Sequence, residues 1–484
     1  MNNVKKGIRN LKIRATATAK GSKRVVRGVW YLKMRKLAIQ SKMRRDNPDK
    51  ESEVVPTTAS QNLFINPMAD LDTDVNSIGG ALIIDEYVDI DALCAAVETV
   101  RRNNDGLRIQ SVEEGGIRKQ FAAAYEPLKT QLMLFKKEEE LKQYCDLELG
   151  KAPGDITHKD LNSGITLFQL GDGRAGIIIK EHHSRQDAES IGLLGVYVLD
   201  VYEHRKKGDT RYQGAKTSFI HHAKTNPDEI GSIDVPNVDY FDTSSTTSTF
   251  LLSKEKTDQI DAFCEKIGED TGLNMRASKV FEFAESIYIA RRYGNAEVVT
   301  LQNLSTGRTL GTSDEDTIGL YMNCRPAKVF VDKKRTIKEN LIDMKQRAKG
   351  ILGEPGYLSE SDPSDTIAIS FRSIPDELQT LIETRFHTYE VYRKHMTVPL
   401  FLTIDSMNNP GQYKMIRDFW NNRYTARRIE DRQNEVMSIV DFMLKGPEMT
   451  VEQLLSNLEL LHPVDETNYL YAEPERMQKT PVEG

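Results

Sequence analysis

AGIIIKEHHSRQDA, residues 175–188, has the pattern of a buried strand that runs into a polar loop. An apolar run bounded by Gly176 and by polar residues is typical of a central strand of a sheet. The loop presents His182, His183 and, four residues after the second histidine, Asp187. Side chains at the end of a rigid strand are well placed for chemistry, and imidazole titrates near neutral pH. The stretch therefore predicts a histidine base, with satisfied polar or surface histidines as the alternative.

The rest of the first half predicts strands and helices around this stretch. Strand patterns lie at residues 79–84, 107–112, 117–123 and 165–170, and helical spacing lies at residues 89–102 and 136–149. A further helix begins at Ser190 and ends in Arg205, Lys206 and Lys207, with Gly208 beyond it. A hydroxyl near the start, cations near the end and a following glycine are the signals that bound a helix.

A polar segment at residues 226–248, with Pro227 and Pro236, predicts a boundary between two lobes. The second half predicts strands at residues 249–252, 297–302, 323–331, 366–371, 398–405 and 413–419, and helices at 256–267, 277–292, 337–349 and 428–444. Together the halves predict an α/β protein with mixed sheets and flanking helices. We divide the chain into a basic extension and linker (1–54), a first lobe (55–235), a second lobe (236–462) and a polar tail (463–484).

Composition restricts the class of protein. No segment of the 484 residues has the roughly 18 consecutive apolar residues of a membrane-spanning helix, and the N-terminus lacks the apolar core of a secretory signal. The four cysteines are widely spaced, which fits neither a zinc site nor a disulfide framework. We therefore expect a cytoplasmic or peripheral membrane protein with no bound metal.

The N-terminal extension is strongly basic. Residues 1–50 contain sixteen Lys or Arg against two Asp, a balance of +14 that leaves about −20 for the remainder. Residues 25–39 mix apolar and basic positions at nearly helical spacing, as a docking helix or a membrane-surface helix would. An acidic protein and an anionic membrane are the partners we weigh, and a solvated arm without a partner is the alternative. Nucleic acid is not expected, because the only aromatic residues of the arm are Trp30 and Tyr31.

The loop sequence HHSRQDA at residues 182–188 resembles the HHxxxDG signature of the condensation domains of nonribosomal peptide synthetases, a branch of the chloramphenicol-acetyltransferase-like superfamily. Four other stretches resemble further elements of that family in the same order: residues 101–109, 303–308, 318–326 and 367–374, similar to the RHxxLRTxF element, the element ending in Asn-Gly-Arg, the IGxFVNTLP element and the late SFNY-like strand. The match covers roughly residues 55–460. Ala188 stands where the signature has glycine, Arg185 occupies a position that is often apolar, and the late strand lacks the usual asparagine.

A second histidine doublet provides an internal comparison. His221 and His222 follow no apolar strand, and the fifth position after the first histidine is Asn226. This doublet therefore lacks the features that carry the resemblance, and we predict a surface pair or an element that crosses between lobes.

The resemblance implies two chloramphenicol-acetyltransferase-like lobes that form a V-shaped pseudo-dimer with a central groove. It implies an acyltransferase that joins a thioester-bound acyl or aminoacyl group to an amine or hydroxyl acceptor. The donor would be a phosphopantetheine-tethered or coenzyme A thioester, with no tightly bound cofactor. Because the sequence shows neither an adenylation domain nor a carrier motif, we expect a free-standing enzyme served by an acyl or peptidyl carrier protein in trans, docked by the basic arm.

Two other functions remain open at this point. One is a coenzyme A-dependent O-acyltransferase acting on a lipid or a natural product, which the amphipathic arm suits. The other is a catalytically inactive module that binds carriers, which the departures at Ala188, Arg185 and the late strand favour.

The resemblance also assigns roles to single residues. His183 takes the place of the base, while His182 packs behind the loop. Asp187 pairs with an arginine that holds the loop, and Arg308 is the first candidate, followed by Arg174. Asn323 and Ser370 line the groove where the pantetheine arms enter.

Overall fold

A computed structural model describes residues 47–65, 74–114, 117–127, 132–152, 164–225, 243–292, 296–305, 307–308, 313–348, 367–372, 385–392, 394–406, 409 and 411–462. The basic arm up to residue 46, residues 226–242 of the predicted lobe boundary and the tail from residue 463 lie outside the described residues.

Strands and helices alternate irregularly in the first half of the chain. The elements are β1 (Val55–Pro56), α1 (Ala59–Ile65), β2 (Ser77–Ile84), α2 (Ile90–Asn103), β3 (Ile109–Glu114), β4 (Ile117–Ala122), β5 (Met133–Phe135), α3 (Glu138–Leu149), β6 (Gly164–Leu170), β7 (Ala175–His182), α4 (Ala188–Lys206) and α5 (Phe219–Thr225). Short 3₁₀ helices lie at Asp74–Asn76 and Asp105–Arg108.

The second half begins with a strand and ends with two helices. Its elements are β8 (Ser245–Leu251), α6 (Lys254–Thr271), α7 (Ala277–Arg292), β9 (Val298–Ser305), β10 (Asn323–Phe330), α8 (Ile337–Ala348), β11 (Ala368–Arg372), β12 (Phe386–Glu390), β13 (Leu400–Asp405), β14 (Lys414–Trp420), α9 (Ala426–Lys445) and α10 (Val451–Leu461), with a 3₁₀ helix at Ser313–Asp316.

Strand β7 lies at the centre of a five-stranded sheet with the order β12-β2-β7-β6-β5. It pairs antiparallel with β2 and β6, and all eight of its residues are buried. Both faces are covered: Ile177 and Ile179 pack in the core formed with α2 and α4, whereas Ile178 packs with α3. The prediction of a buried central strand is confirmed.

A six-stranded sheet organises the second half, with the order β10-β9-β11-β13-β14-β8. Strand β11 runs parallel to both β9 and β13, whereas the other pairs are antiparallel, so the sheet is mixed. Helices α6 to α10 contribute to the core that covers it, which includes Phe281, Ile287, Val436 and Leu454. A small antiparallel sheet of β1, β4 and β3 completes the fold. The predicted α/β class with mixed sheets and flanking helices is confirmed.

One strand of the second half belongs to the first sheet. Strand β12 pairs antiparallel with β2 over five residues, from Phe386 opposite Ile84 to Glu390 opposite Gly80. The Phe386 side chain lies in the same buried core as Leu82 and Ile177. The two halves of the sequence therefore share a hydrophobic core.

The structure differs from the sequence prediction at several boundaries. The strand predicted at residues 107–112 begins at Ile109, because residues 105–108 form a 3₁₀ turn. The helix predicted from Ser190 begins at Ala188. Six elements were not predicted from the sequence: β1, α1, β5, α5, β12 and α10. Apart from α10, each has at most seven residues, and β5 and β12 lie at sheet edges. Among the described residues, none of the helices combines the length and apolar character needed to span a bilayer.

Candidate active site

The two histidines of the loop lie where β7 leaves the sheet. His182 is the last residue of the strand and pairs with Ser77 of β2. The backbone N–H of His183 donates a hydrogen bond of 2.7 Å to the carbonyl oxygen of Asn76, which continues the ladder by one residue. Both side chains are buried, with 5% and 6% of their surfaces exposed. The scaffold therefore fixes the backbone from which both imidazoles project.

The imidazole of His182 is engaged inside the loop. The backbone N–H of Ser184 donates to Nδ1 of His182 at 3.1 Å, and the Ser184 hydroxyl lies 2.7 Å from the same nitrogen. A ring nitrogen that accepts from an N–H carries a lone pair and no proton, so His182 is neutral in this arrangement. These contacts favour a structural role for His182 within the turn.

Asp187 ties the loop to α4 and to the second half of the chain. It is the N-cap of α4, where its Oδ1 accepts from the backbone N–H of Ser190 at 2.8 Å. Its Oδ2 accepts from the backbone N–H of Tyr321 at 3.0 Å. Nη2 of Arg308 lies 3.1 Å from Oδ1. A buried carboxylate with three donors avoids the penalty of an unpaired charge.

Ala188 is the first residue of α4 and has a helical backbone. The signature has glycine at this position, and glycine can adopt a positive φ. A helical residue has a negative φ, so the backbone of this chain does not require glycine here. The alanine is therefore compatible with an unstrained loop.

Arg308 reaches Asp187 through a turn that requires glycine. Gly307 has a φ of 63°, and a Cβ atom there would lie 1.8 Å from the carbonyl oxygen of Tyr321. Beyond this turn, Nη1 of Arg308 donates to the carbonyl oxygens of Asp314 and Thr317 at 2.9 and 2.5 Å. The structure thus places Arg308, the first of the two candidates, against Asp187.

The second candidate, Arg174, lies elsewhere. Its guanidinium contacts Asp172 and Glu138, each in an ion pair with the closest atoms 2.8–2.9 Å apart. Arg174 therefore fastens α3 to the turn before β7.

Three of the four other stretches that resemble family elements converge behind the histidine loop. The Ser190 hydroxyl donates to the carbonyl oxygen of Gly319 at 2.5 Å and accepts from its N–H at 3.0 Å. On the other side, Gly106 packs so closely on Ile318 that a Cβ would lie 2.0 Å from its carbonyl oxygen. Residues from 101–109, 303–308 and 318–326 thus surround Asp187 and the start of α4.

The charges of this cluster influence one another strongly. Burial opposes the charge of Arg308, but the carboxylates of Asp187 and Glu189 outweigh it and raise the pKa of Arg308. Burial raises the pKa of Glu189 to about 7; the nearby Arg308 opposes this shift, and Asp187 adds to it. The cluster therefore contains a fixed cation and a carboxylic acid that titrates near neutral pH.

Arg185, which occupies an often apolar position of the signature, pairs within the loop. Its Nη1 lies 3.7 Å from Oε2 of Glu181, and both side chains are largely buried. Burial lowers the pKa of Arg185 and raises that of Glu181, while their mutual attraction opposes both shifts. The cation therefore has a buried partner of opposite charge four residues earlier in the chain.

Helix α1 brings a residue to His183 that the sequence analysis did not single out. The ring of Phe64 stacks on the imidazole of His183, with centroids 4.1 Å apart and planes 8° from parallel. The preceding residues carried a signal for this helix: Thr58 and Gln61 form a reciprocal capping pair, a pattern of hydroxyl and amide three residues apart.

The two residues assigned to the groove occupy different positions. Asn323 begins β10, and its Oδ1 accepts from the hydroxyl of Ser60 in α1 at 3.0 Å, which connects it with the helix that covers His183. Ser370 lies within β11, between Leu304 of β9 and Thr403 of β13, and is half-buried. The structure brings Asn323 close to the histidine loop through α1, whereas Ser370 lies deeper in the second sheet.

The second doublet lies on α5, behind the loop. His222 packs on the ring of Tyr321, with centroids 4.2 Å apart, and its Nδ1 lies 3.4 Å from Asp314. Burial lowers the pKa of His222, against the attraction of Asp314. His221 is exposed. In the part of the chain that the structure describes, no three His, Cys, Asp or Glu side chains are grouped as metal ligands would be.

Comparison with known proteins gives one relative by sequence and many by structure. No family model matches the chain. One of the subunits of plipastatin synthase from Bacillus subtilis is 19% identical over 443 residues, which cover 82% of this chain and 17% of that protein. The chain therefore spans less than one fifth of the length of this curated relative.

Two solved structures illustrate the likeness of the fold. The first condensation domain of the calcium-dependent antibiotic synthetase, in complex with a substrate analogue, is 15% identical, with a TM-score of 0.64 over 84% of this chain and 99% of that chain. The epimerization domain from the third module of tyrocidine synthetase B is 13% identical, with a TM-score of 0.60 over 83% of this chain and all of that chain. The described sheets and helices therefore have the condensation-domain fold.

Proposed function

We propose that this protein is a condensation-type acyltransferase that joins a thioester-bound acyl or aminoacyl group to an amine or hydroxyl acceptor, in metabolism of the nonribosomal peptide kind. The observation that carries the proposal is the setting of His183. Its imidazole projects from the end of a buried central strand, and Asp187 and Arg308 lock the loop behind it. The sequence likeness to part of plipastatin synthase supports the same class of chemistry.

The reaction assigned to His183 is a proton transfer during attack on a thioester. The nitrogen or oxygen of the acceptor attacks the carbonyl carbon, and an imidazole nitrogen of His183 accepts the proton that the acceptor loses. The tetrahedral intermediate then collapses, the carbon–sulfur bond breaks, and the sulfur leaves as a thiol after it takes the proton. The donor thiol is the pantetheine arm of a carrier protein or coenzyme A, and the protein itself holds no covalent intermediate in this scheme.

The fold leaves the reaction type open, because the structural relatives include an epimerization domain. A direct assay of transfer separates these functions. Acyl groups are offered on coenzyme A and on a purified carrier protein, with amines and alcohols as acceptors, and mass spectrometry detects the amide or ester. Amide formation from the carrier-bound donor supports the proposal, whereas exclusive use of coenzyme A thioesters with alcohols supports an O-acyltransferase.

Two substitutions test the roles within the loop. His183→Ala should lower the transfer rate by roughly 10²- to 10⁴-fold and leave the fold intact. Asp187→Ala should instead destabilise the protein by about 3–5 kcal/mol, because it removes the carboxylate nearest to the buried guanidinium of Arg308 and the acceptor of the Ser190 and Tyr321 N–H groups. Full activity of purified His183→Ala would contradict the catalytic assignment, and an unchanged melting temperature of Asp187→Ala would contradict the structural one.

We also propose that the basic arm docks an acidic carrier protein. The arm has a charge of about +14, and carrier proteins are commonly acidic. Long-range electrostatic attraction should therefore increase both the association rate and the affinity. Deletion of residues 1–46 should weaken carrier binding and remove most of its dependence on salt concentration. Equal affinity and an equal salt response in the full chain and the deletion variant would exclude this role. Binding of the full chain to anionic vesicles, lost on the same deletion, would identify a membrane surface as the partner instead.

A further inference from the structure

Helix α1 covers the imidazole that the proposed reaction uses. Phe64 stacks on His183 at a centroid distance of 4.1 Å, and its own side chain is buried, with 7% of its surface exposed. The backbone of His183 is fixed by its hydrogen bond to Asn76, yet this bond does not set the rotation of the ring about the Cβ–Cγ bond. That torsion has a broad energy profile in histidine, so contacts with the side chain define the plane of the ring. Phe64 provides a flat surface parallel to that plane.

The stack covers a face of the imidazole and not the edge at which its nitrogens accept a proton. A ring nitrogen accepts a proton along its lone pair, which lies in the plane of the ring and points away from its edge. A neighbour that covers one face therefore restricts rotation without occupying the direction of proton transfer.

The helix that carries Phe64 is anchored at several points. The amides of Gln61 and Gln120 form a reciprocal pair of hydrogen bonds of 2.8 and 2.7 Å, and both side chains are fully buried. The hydroxyl of Ser60 donates to Asn323 of the second half at 3.0 Å. A helix of seven residues is marginal alone, so these contacts hold it in place. They link the position of Phe64 to β4 on one side and to β10 on the other.

From these observations we propose that Phe64 is a positioning residue that fixes the plane of the His183 imidazole. The inference rests on the proposed function, in which His183 is the base. Proton transfer requires the lone pair to point at the acceptor, and misplacement of a reacting group by about 1 Å lowers rates by as much as ~10²-fold. Phe64 stacks on the imidazole, whereas Asn323 and Ser370 are the residues predicted to line the groove, so loss of the stack should act on kcat and spare KM.

The test compares Phe64→Leu, Phe64→Tyr and Phe135→Leu. Leucine keeps an apolar side chain and suits a helix, yet it has no flat face, whereas tyrosine keeps the flat face. Phe135 packs against Tyr144 in the first half, at 5.5 Å between centroids, so the same substitution there controls for a general loss of stability. Phe64→Leu should lower kcat by about 10- to 100-fold and change KM by less than about twofold. Phe64→Tyr should have a kcat close to that of the wild type. Phe135→Leu should leave both constants unchanged.

A spectroscopic measurement tests the contact without activity. In protein carrying ¹³C-labelled histidine, the His183 resonance is identified by its loss in His183→Ala. Protons over the face of a phenyl ring resonate upfield, so the His183 signal should move downfield in Phe64→Leu. In Phe64→Tyr and in Phe135→Leu it should lie close to its wild-type position. An unchanged resonance in Phe64→Leu, or unchanged kcat and KM in that variant, overturns the positioning role. If the wild type transfers no acyl group, the proposed function fails, and the resonance alone decides whether Phe64 stacks on His183.

Discussion

At the scale of single residues, the carboxyl of Glu189 is a member of the loop cluster whose pKa is raised. The Glu189 side chain is 39% exposed, but one of its oxygens, Oε2, is fully buried. The cationic atom nearest to Oε2 is Nε of Arg308, 3.4 Å away. Burial raises the pKa of Glu189 to about 7; Arg308 opposes this shift, whereas Asp187 and the carboxylates of Glu315 and Asp316 add to it. Arg308 is already engaged with Asp187, so two carboxylates share one guanidinium.

This arrangement gives a stability that depends on pH in a definite direction. The folded protein binds the Glu189 proton more tightly than the unfolded chain, so the stability that it contributes is complete below a pH of about 4.5 and is lost as the pH rises through about 7. Glu189→Gln removes this titration. Its melting temperature should therefore match that of the wild type near pH 4.5 and exceed it at pH 8. If the melting temperatures of the two proteins changed with pH in the same way across this range, the Glu189 carboxyl would not titrate as described.

The residues of the loop also show where sequence reasoning reaches its limit. The order of the motifs was sufficient to nominate Arg308 over Arg174 as the residue facing Asp187, because the family resemblance carries that pairing. The N–H of Tyr321 could not be found in this way, since a backbone donor leaves no trace in residue type. The ring of Phe64 could not be found either, since it contacts His183 from a distant part of the chain. Ala188 illustrates the opposite case, in which a departure from a motif has no structural consequence because the residue is helical.

At the scale of secondary-structure elements, the pattern of apolar residues identified the strands and helices that bury at least one whole face. Strand β7 is an example, because an uninterrupted apolar run buried on both sides has no other stable environment. The helix α1 is too short for periodicity to reveal, although its capping pair of Thr58 and Gln61 is visible in the sequence. The strand predicted at residues 107–112 includes Leu107 and Arg108, which instead belong to a 3₁₀ turn at residues 105–108, where Gly106 packs closely on Ile318.

Strand β12 is the element that sequence patterns could least predict, because its stability comes from distant partners. Its backbone completes the edge of the first sheet beside β2. Its side chains add polar contacts, since His387 lies 2.7 Å from Asp85 and 3.1 Å from Glu138. Burial opposes the charge of Glu138, but hydrogen bonds from Lys142, Arg174 and His387 outweigh it and lower the pKa of Glu138 to about 2. These contacts fasten a segment of the second half to α3 of the first.

At the scale of the whole molecule, the shared core decides whether the halves unfold together. Inter-domain contacts within a chain usually permit independent motion unless the interface is large and apolar. Here Phe386 and Ile318, from the second half of the sequence, are buried in the core of the first sheet. His395 adds a contact of 2.7 Å with the buried carboxylate of Asp74. Five backbone pairs between β12 and β2 continue the sheet across the division.

We therefore expect one cooperative unfolding transition in calorimetry, in spite of the length of the chain. Phe386→Ala should lower its midpoint, because loss of a buried phenylalanine side chain destabilises a core by about 3–5 kcal/mol. Leu454→Ala, which removes a buried side chain from the core of the second sheet, is the matched variant and should lower the same midpoint. If the halves were independent, the trace would show two transitions, and each substitution would move only one of them. In that case β12 would be a surface attachment, and the shared core would not couple the two halves.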